Sequence, residues 1–367
     1  RSGVARRKID LHQYRERLET LLGSSYTVMR GLKKRVLKTG SEAGSRATVV
    51  FPEGENLKII RAAHLIREEG IAEPILLGNE VKVLAGIQSL GLDESLKGIQ
   101  IIRPSTSELR ESYAQKFFEK RSRKGITLPV AMNLMKQNNY FGAMMVEMGH
   151  ADGIMNGISQ SYPETLRPAI QVIGVKPGSL LAGIYMLIFK NRLLFFADTT
   201  VNIEPTAEEL ADIAIQAAKV AQGFMLVEPR VAMLSFTNFG AHNHPFALKV
   251  RRATEIIKER APDLIVDGEM QADTALSPEI SKESFPFNRV PGDANVLIFP
   301  DLQSGNIAYK LMSKLGLADA IGPILVGMKK PVTVLQQNSD INDVVNMAAI
   351  TAMEIHLRKE AEGHIHV

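Results

Sequence analysis

From residue 46 onward, short apolar runs alternate with helical patterns, and Gly, Pro or Asp marks most of the switches. That order points to an α/β architecture, in which helices cover the faces of a sheet. Strands are predicted over 47–51, 74–77, 99–102, 153–155, 180–189, 193–196, 231–236, 265–267, 295–299 and 321–326. Helical spacing occupies 56–69, 107–120, 206–224, 245–260, 304–315 and 342–359. The runs 180–189 and 193–196 flank Lys190-Asn191-Arg192, the pattern of a hairpin, so part of the sheet is predicted to be antiparallel. No internal repeat or low-complexity segment interrupts this order. The tail from Gly363 to Val367 is expected to be disordered.

With 367 residues, 45% apolar and 23% charged, the chain can bury a sizeable core as two domains or one large unit. It has no cysteine, which excludes a disulfide framework, a thiolate metal site and a cysteine nucleophile. No run of 18 uncharged apolar residues occurs and no secretory pattern opens the chain, so no membrane span is expected and the location is predicted to be cytoplasmic. The start at Arg1 without Met reads as a cut from a longer polypeptide. Residues 1–46 hold 12 Lys/Arg against 4 Asp/Glu, leaving 32 against 36 for the mildly acidic remainder. The apolar residues Leu11, Tyr14, Leu18, Leu21 and Leu22 recur at helical spacing within that basic stretch, which predicts a packed amphipathic helix with a solvated basic face. Neither a reading-helix motif nor an aromatic platform accompanies the charge, so nucleic acid is not an expected partner.

The common nucleotide devices GxGxxG and GxxxxGK[ST] are missing, as are HExxH, GxSxG and an EF-hand string. His242 and His244 have metal-ligand chemistry but no nearby third ligand, and a polar loop is the alternative; no metal is expected. The carboxylates of Asp267-Gly268-Glu269 and Asp273 follow a strand end, where acid–base work and structural ion pairing are both open readings. Three strings have the makings of an anion site. Thr165-Leu166-Arg167-Pro168 places an arginine near a predicted helix start, and Pro300-Asp301-Leu302-Gln303-Ser304-Gly305-Asn306 opens another helix, with Lys310 one turn on. Arg121, Arg123 and Lys124 end a helix, and guanidinium groups suit phosphate because they donate in a fork. Taken singly, each string is as readily a cap or a turn.

Longer strings carry a family resemblance. ADGIMNG at 151–157, ETLRPAIQVIG at 164–174, FADTTVN at 196–202, DGEMQADTAL at 267–276, ANVLIFPDLQSGNIAYKL at 294–311 and IGPILVGMKKPV at 321–332 resemble phosphate acetyltransferase, which moves acetyl between coenzyme A and phosphate. The resemblance runs from about residue 46 to 360. It implies two α/β lobes around a cleft, of the isocitrate/isopropylmalate dehydrogenase-like kind, preceded by a helical linker over 1–45. One lobe would combine 46–178 with 326–367, and the other would span 179–325. The family's two arginines at the phosphate end of coenzyme A fall on Arg121 and Arg167. Thr165, Ser304, Asn306 and Lys310 complete the implied set for CoA or acetyl-CoA, and a homodimer is implied.

At the catalytic end the string departs from the family. Where the family reads a Ser-Arg pair, this chain has Gln336-Gln337, while Asp343 matches the family Asp. Losing one charge-stabilising group typically costs about 10²–10³ in rate, so two losses imply a catalytically degenerate domain with no catalytic residue in place. The opening SGVARRKID and SFTNFGA at 235–241 resemble hybrid bacterial malic enzymes. The leading expectation is therefore a pseudoenzyme: an acetyl-CoA-binding regulatory half that inhibits a fused NADP-dependent malic enzyme. NADP and a divalent metal would belong to that absent half, and the full-length protein would form a larger homo-oligomer. An active phosphate acetyltransferase and an assembly module without a ligand role are the alternatives.

Overall fold

A computed structural model describes residues 11–363, with side chains from residue 24 onward. The tail beyond Gly363 and the apolar stripe Leu11 to Leu22 as side chains lie outside the described residues. Among the described residues the strands are β1 (Thr48–Phe51), β2 (Glu73–Leu77), β3 (Gln100–Ile102), β4 (Gly153–Asn156), β5 (Ala182–Ile188), β6 (Leu193–Ala197), β7 (Arg230–Leu234), β8 (Ile265–Met270), β9 (Val296–Ile298), β10 (Asp319–Val326) and β11 (Val332–Val334). The helices are α1 (Leu11–Glu42), α2 (Leu57–Glu68), α3 (Glu80–Ser89), α4 (Leu109–Arg121), α5 (Leu128–Leu134), α6 (Asn138–Glu147), α7 (Tyr162–Val172), α8 (Ala207–Met225), α9 (Pro245–Arg260), α10 (Ala272–Leu276), α11 (Pro278–Ser284), α12 (Leu302–Lys314) and α13 (Ile341–Ala361). No helix among them is long and apolar enough to cross a membrane.

The strands form two sheets, so the fold is mixed α/β as the alternation predicts. One sheet is wholly parallel, in the order β11-β4-β1-β2-β3. The other has the order β10-β5-β6-β9-β7-β8, with β10 and β6 antiparallel to β5 and the remaining pairs parallel. The predicted hairpin is the β5–β6 pair. Strand β11 was not predicted: its three residues follow Pro331, and its pairing of Val332 with Ile154 joins distant parts of the chain. Strand β8 runs on to Met270, three residues beyond its predicted end.

Local chemistry sets the helix starts. The Asn56 side chain accepts from Lys58 N and that of Asn79 from Val81 N, each satisfying a free N–H of the first turn. Thr206 with Glu209, and Asp340 with Asp343, form reciprocal capping boxes ahead of α8 and α13. The basic stretch of α1 is used in docking as well as in solvation. Arg35 donates to the carbonyls of Phe224 (2.5 Å) and Gly223 (3.0 Å) at the end of α8, where orphan carbonyls favour a cation, and Lys33 pairs with Glu69 at 2.7 Å. Helix α13 packs on α1, α2, β10 and α8, which links the layers of both sheets. Val344, Ala348 and Ala352 on this helix are completely buried, within one apolar core that also takes in Ile59 of α2 and Ala214 of α8.

Candidate active site

A cavity of about 760 Å³ opens beyond the carboxyl ends of β1 and β4, the edge at which parallel sheets place ligands. Its wall is built by Glu53, which follows β1. The Glu53 carboxylate accepts from the backbone N–H groups of Gly157 (2.6 Å), Ile158 (2.9 Å) and Ser159 (2.8 Å), and from the Ser159 hydroxyl. This clamp fixes the loop that delivers α7. Behind it, the buried Asn156 donates to Asn139 Oδ1 at 3.1 Å, Asn139 donates to Gln160 Oε1 at 2.5 Å, and Tyr140 OH donates to Gln171 Oε1 at 2.7 Å. The cavity is thus a preorganised polar bowl.

Arg167 lines this bowl, but from a different place than its sequence context indicates. Helix α7 begins at Tyr162, capped by Ser161 with Glu164, so Arg167 sits mid-helix and gains nothing from the helix N-terminus. Thr165 is completely buried and its hydroxyl donates back to the Ser161 carbonyl at 3.0 Å, so it serves the helix rather than the cavity. Arg121 ends α4, and its Nε is buried with no partner. Burial pushes the Tyr140 phenol upward, while Arg167 and Arg121 both act against that shift. Both guanidinium charges therefore act on one tyrosine at the cavity. Arg123 and Lys124 are exposed in the short turn that follows α4.

The two sheets meet at a second polar cluster. Tyr185 of β5 and Tyr309 of α12 stack with ring centroids 4.1 Å apart and planes 13° from parallel. Gln336, in the loop between β11 and α13, donates through Nε2 to Tyr185 OH and, at 3.5 Å, to Tyr309 OH. Gln337 is exposed. Asp343 takes part in the capping box, accepting from Asp340 N at 2.9 Å, and Asp343 N donates to Asp340 Oδ1 at 2.8 Å. Burial, together with the charge of Asp340, raises the Asp343 carboxyl, and the Asp340 N–H bond opposes that. Asp343 and Tyr162 in turn act electrostatically on Tyr185, so all four groups belong to one neighbourhood.

Helix α12 departs from the anion-site expectation at its start. The Asp301 side chain already accepts from Ser304 N at 2.8 Å, and Ser304 Oγ donates to the Asp301 carbonyl at 2.9 Å. A carboxylate of the protein itself thus fills the helix N-terminus. Asn306 Nδ2 donates to the Thr199 carbonyl at 2.9 Å, which ties α12 to the loop after β6, and Lys310 is exposed. The small residue at 305 serves packing: a Cβ there would lie 2.4 Å from the Asp198 carbonyl oxygen. Gly305→Ala is expected to destabilise the fold by about 2 kcal/mol through overpacking against backbone, read as a lowered denaturation midpoint.

Three of the other residues singled out in the sequence have partners within the fold. Asp267 pairs with Lys258 at 2.8 Å, and Glu269 is clamped by Arg251. His244 caps α9, its Nδ1 accepting from Phe246 N at 3.3 Å. Glu53, Asp198, Tyr162, Tyr185 and Tyr309 were missed as site-building residues. Tyr309 and Asp198 lie inside strings that stood out for their length, but nothing local marks them, because Tyr309 meets Gln336 from 27 residues away and Asp198 is met mainly by backbone N–H groups.

The model of the phosphate acetyl/butaryl transferase family matches residues 31–352. The phosphate acetyltransferase of Thermoanaerobacterium thermosaccharolyticum is 42% identical over 317 residues, covering 84% of this chain and 95% of that protein. That of Nitratidesulfovibrio vulgaris is 40% identical over 316 residues, 86% of this chain and 44% of the relative. A phosphotransacetylase crystal structure from Streptococcus pyogenes superposes with a TM-score of 0.84 at 40% identity, covering 90% of this chain and 98% of that one. These relatives overturn the reading as a degenerate regulatory domain, and the pseudoenzyme and malic-enzyme assignments, with their NADP and metal, fall with it. The physical reason lies in Gln336. Its amide is held against two buried phenols, so an ordered hydrogen-bonding group stands where the sequence departs from the family string. The chain belongs to the phosphate acetyl/butaryl transferase family.

Proposed function

We propose that this chain is an active phosphate acetyltransferase, transferring acetyl between phosphate and the thiol of coenzyme A. The observation that carries this reading is the 42% identity to a phosphate acetyltransferase along 95% of that enzyme's length. Within it, 46–178 with 326–363 and 179–325 form two lobes of the isocitrate/isopropylmalate dehydrogenase-like kind around a cleft, and α1 precedes them. CoA or acetyl-CoA lies along that cleft. Arg121 and Arg167 hold its phosphate end by charge-assisted hydrogen bonds, and Asn306 and Lys310 approach from α12. Thr165 and Ser304 leave the ligand set because their hydroxyls are committed to helix backbone.

The thiol sulfur attacks the acetyl carbonyl carbon, and phosphate departs with the electrons of the broken C–O bond. Asp343 is the acceptor for the thiol proton, since its raised carboxyl is a better base than an ordinary aspartate. A homodimer and a cytoplasmic location belong to the same reading.

The test is acetyl transfer from acetyl phosphate to CoA by the purified chain. Turnover of roughly 1 to 10³ s⁻¹ is expected, and none at substrate saturation overturns the proposal. Arg121→Ala and Arg167→Ala are each expected to raise KM for CoA at least about tenfold with a smaller change in kcat, as loss of a charged hydrogen bond of about 1.5–3 kcal/mol requires. An unchanged KM in both variants removes them from the CoA site.

A further inference from the structure

Where the two sheets meet, the hydrogen-bond arithmetic does not close. Tyr185 and Tyr309 are 3% and 5% exposed, and Gln336 Nε2 donates to both of their oxygens. Each phenol is therefore already an acceptor, yet each keeps its own O–H proton. The two hydroxyls also bond to each other, which takes up one of these protons, and no acceptor for the other stands among the hydrogen bonds of the described residues. The hydroxyls of Tyr162 and Thr200 are also buried without a hydrogen bond of good geometry, although they lie close enough for Thr200 to act on Tyr162.

The nearby carboxylates do not fill the deficit. Asp198 is taken up by N–H donors, and among the described residues no hydrogen bond joins Asp343 to either phenol. The junction is thus rich in buried O–H donors and short of acceptors, and such groups are satisfied in native sites by a partner that arrives with the ligand.

The donors have a definite chemical character. Burial pushes the Tyr162 phenol up to about 12 and the Tyr185 phenol upward as well, so both stay protonated across the physiological range. Neutral, fixed O–H donors match an oxygen that is a carbonyl in the ground state and gains negative charge as the reaction proceeds. The permanently charged phosphates of a substrate find their match in the guanidinium groups of the other cavity. Gln336 is exposed as a residue and meets the phenols through its amide tip.

We propose that Tyr185 and Tyr309, held in place by Gln336, donate hydrogen bonds to the acyl carbonyl oxygen and stabilise the oxyanion formed when sulfur adds to the carbonyl carbon. This rests on the acyl-transfer reading above. As the C–S bond forms, the carbonyl electron pair moves onto oxygen. When that pair returns, the bond to phosphate oxygen breaks and phosphate leaves with its electrons. Both phenols keep their protons throughout. In the reverse direction the same oxygen is that of the acetyl-CoA thioester.

Tyr185→Phe and Tyr309→Phe keep both rings, so the stack and the fold should persist, with melting temperatures close to the parent's. Each is expected to lower kcat for acetyl transfer about 10²-fold while KM for CoA stays within about threefold. A second readout does not need turnover: the infrared carbonyl stretch of acetyl-CoA carrying ¹³C at the acetyl carbonyl. Bound to the parent chain it should shift to lower frequency than in solution, and Tyr185→Phe should reduce that shift. Values of kcat within about threefold of the parent in both variants overturn the proposal. If the parent chain binds acetyl-CoA but transfers no acetyl group, the acyl-transfer reading fails and the stretch decides alone, an identical stretch with and without the Tyr185 hydroxyl sinking the oxyanion site. Absence of acetyl-CoA binding overturns both.

Discussion

Asp198→Ala is expected to cost about 4 kcal/mol of folding stability, the largest single loss among the buried polar groups at the sheet junction. Asp198 follows β6 and is 2% exposed. Its Oδ1 accepts from Gly183 N at 3.0 Å, Thr200 N at 2.9 Å and Val201 N at 3.3 Å. Its Oδ2 accepts from Asn202 N at 2.8 Å and Asn202 Nδ2 at 2.6 Å. The negative charge is thus balanced by a nest of oriented N–H groups, a common way to hold a buried anion. Alanine removes the acceptor and strands donors that had been desolvated for it, and that stranding, rather than the bonds themselves, makes up most of the cost. The segment involved also provides the Thr199 carbonyl that anchors Asn306, so acetyl transfer should fall with stability. Equilibrium denaturation reads the effect, and a loss below about 1 kcal/mol means that water replaces the carboxylate in the nest.

Arg251→Ala should cost about 3–5 kcal/mol at neutral pH, and the cost should shrink in acid. Glu269 is completely buried. Arg251 meets it with two bonds, Nε to Oε2 at 3.0 Å and Nη2 to Oε1 at 2.9 Å, while Gly240 N donates to Oε1 at 2.7 Å. Burial is the strongest single influence on this carboxyl and opposes its ionisation. The Arg251 bonds and the Gly240 N–H together outweigh it, so the carboxyl titrates below the usual glutamate range.

For a depressed carboxyl, stability is fully present above the unfolded-state value of about 4.3 and is lost as pH falls through the lower folded value. Removing Arg251 leaves burial in control and raises the same carboxyl. The variant therefore stays weak at pH 7 and approaches the parent only once pH has fallen through the parent's depressed Glu269 value, where the carboxyl becomes neutral in both. Denaturation midpoints of the two proteins across pH 3–8 check this. A cost that does not vary with pH would mean that Arg251 acts through packing alone.

Elements with a local period were legible in the residues. Alternating apolar runs marked β1 to β10, and helical spacing marked α2, α4, α8, α9, α12 and α13, because each pattern is generated by the element itself. The short helices α3, α5 and α6 escaped, and so did β11, whose three residues carry no period of their own. The start of α7 could have been read: Ser161-Tyr162-Pro163-Glu164 is a capping-box string, and taking it as one would have put Arg167 mid-helix. Likewise Asp301 is a helix cap three residues ahead of Ser304, and it claims the N-terminus assigned to an anion.

The sequence alone determined the α/β class, the β5–β6 hairpin and, through its long strings, the family. Only the tertiary structure decided what Gln336 meets, because the hydroxyl facing it comes from 151 residues away on another sheet. The same holds for Glu53, whose donors lie 104 to 106 residues on. A hydrogen-bond partner brought in by packing leaves no trace in the spacing of its own segment, so residue types announce the chemistry available while the meeting of two sheets fixes which groups are free to perform it.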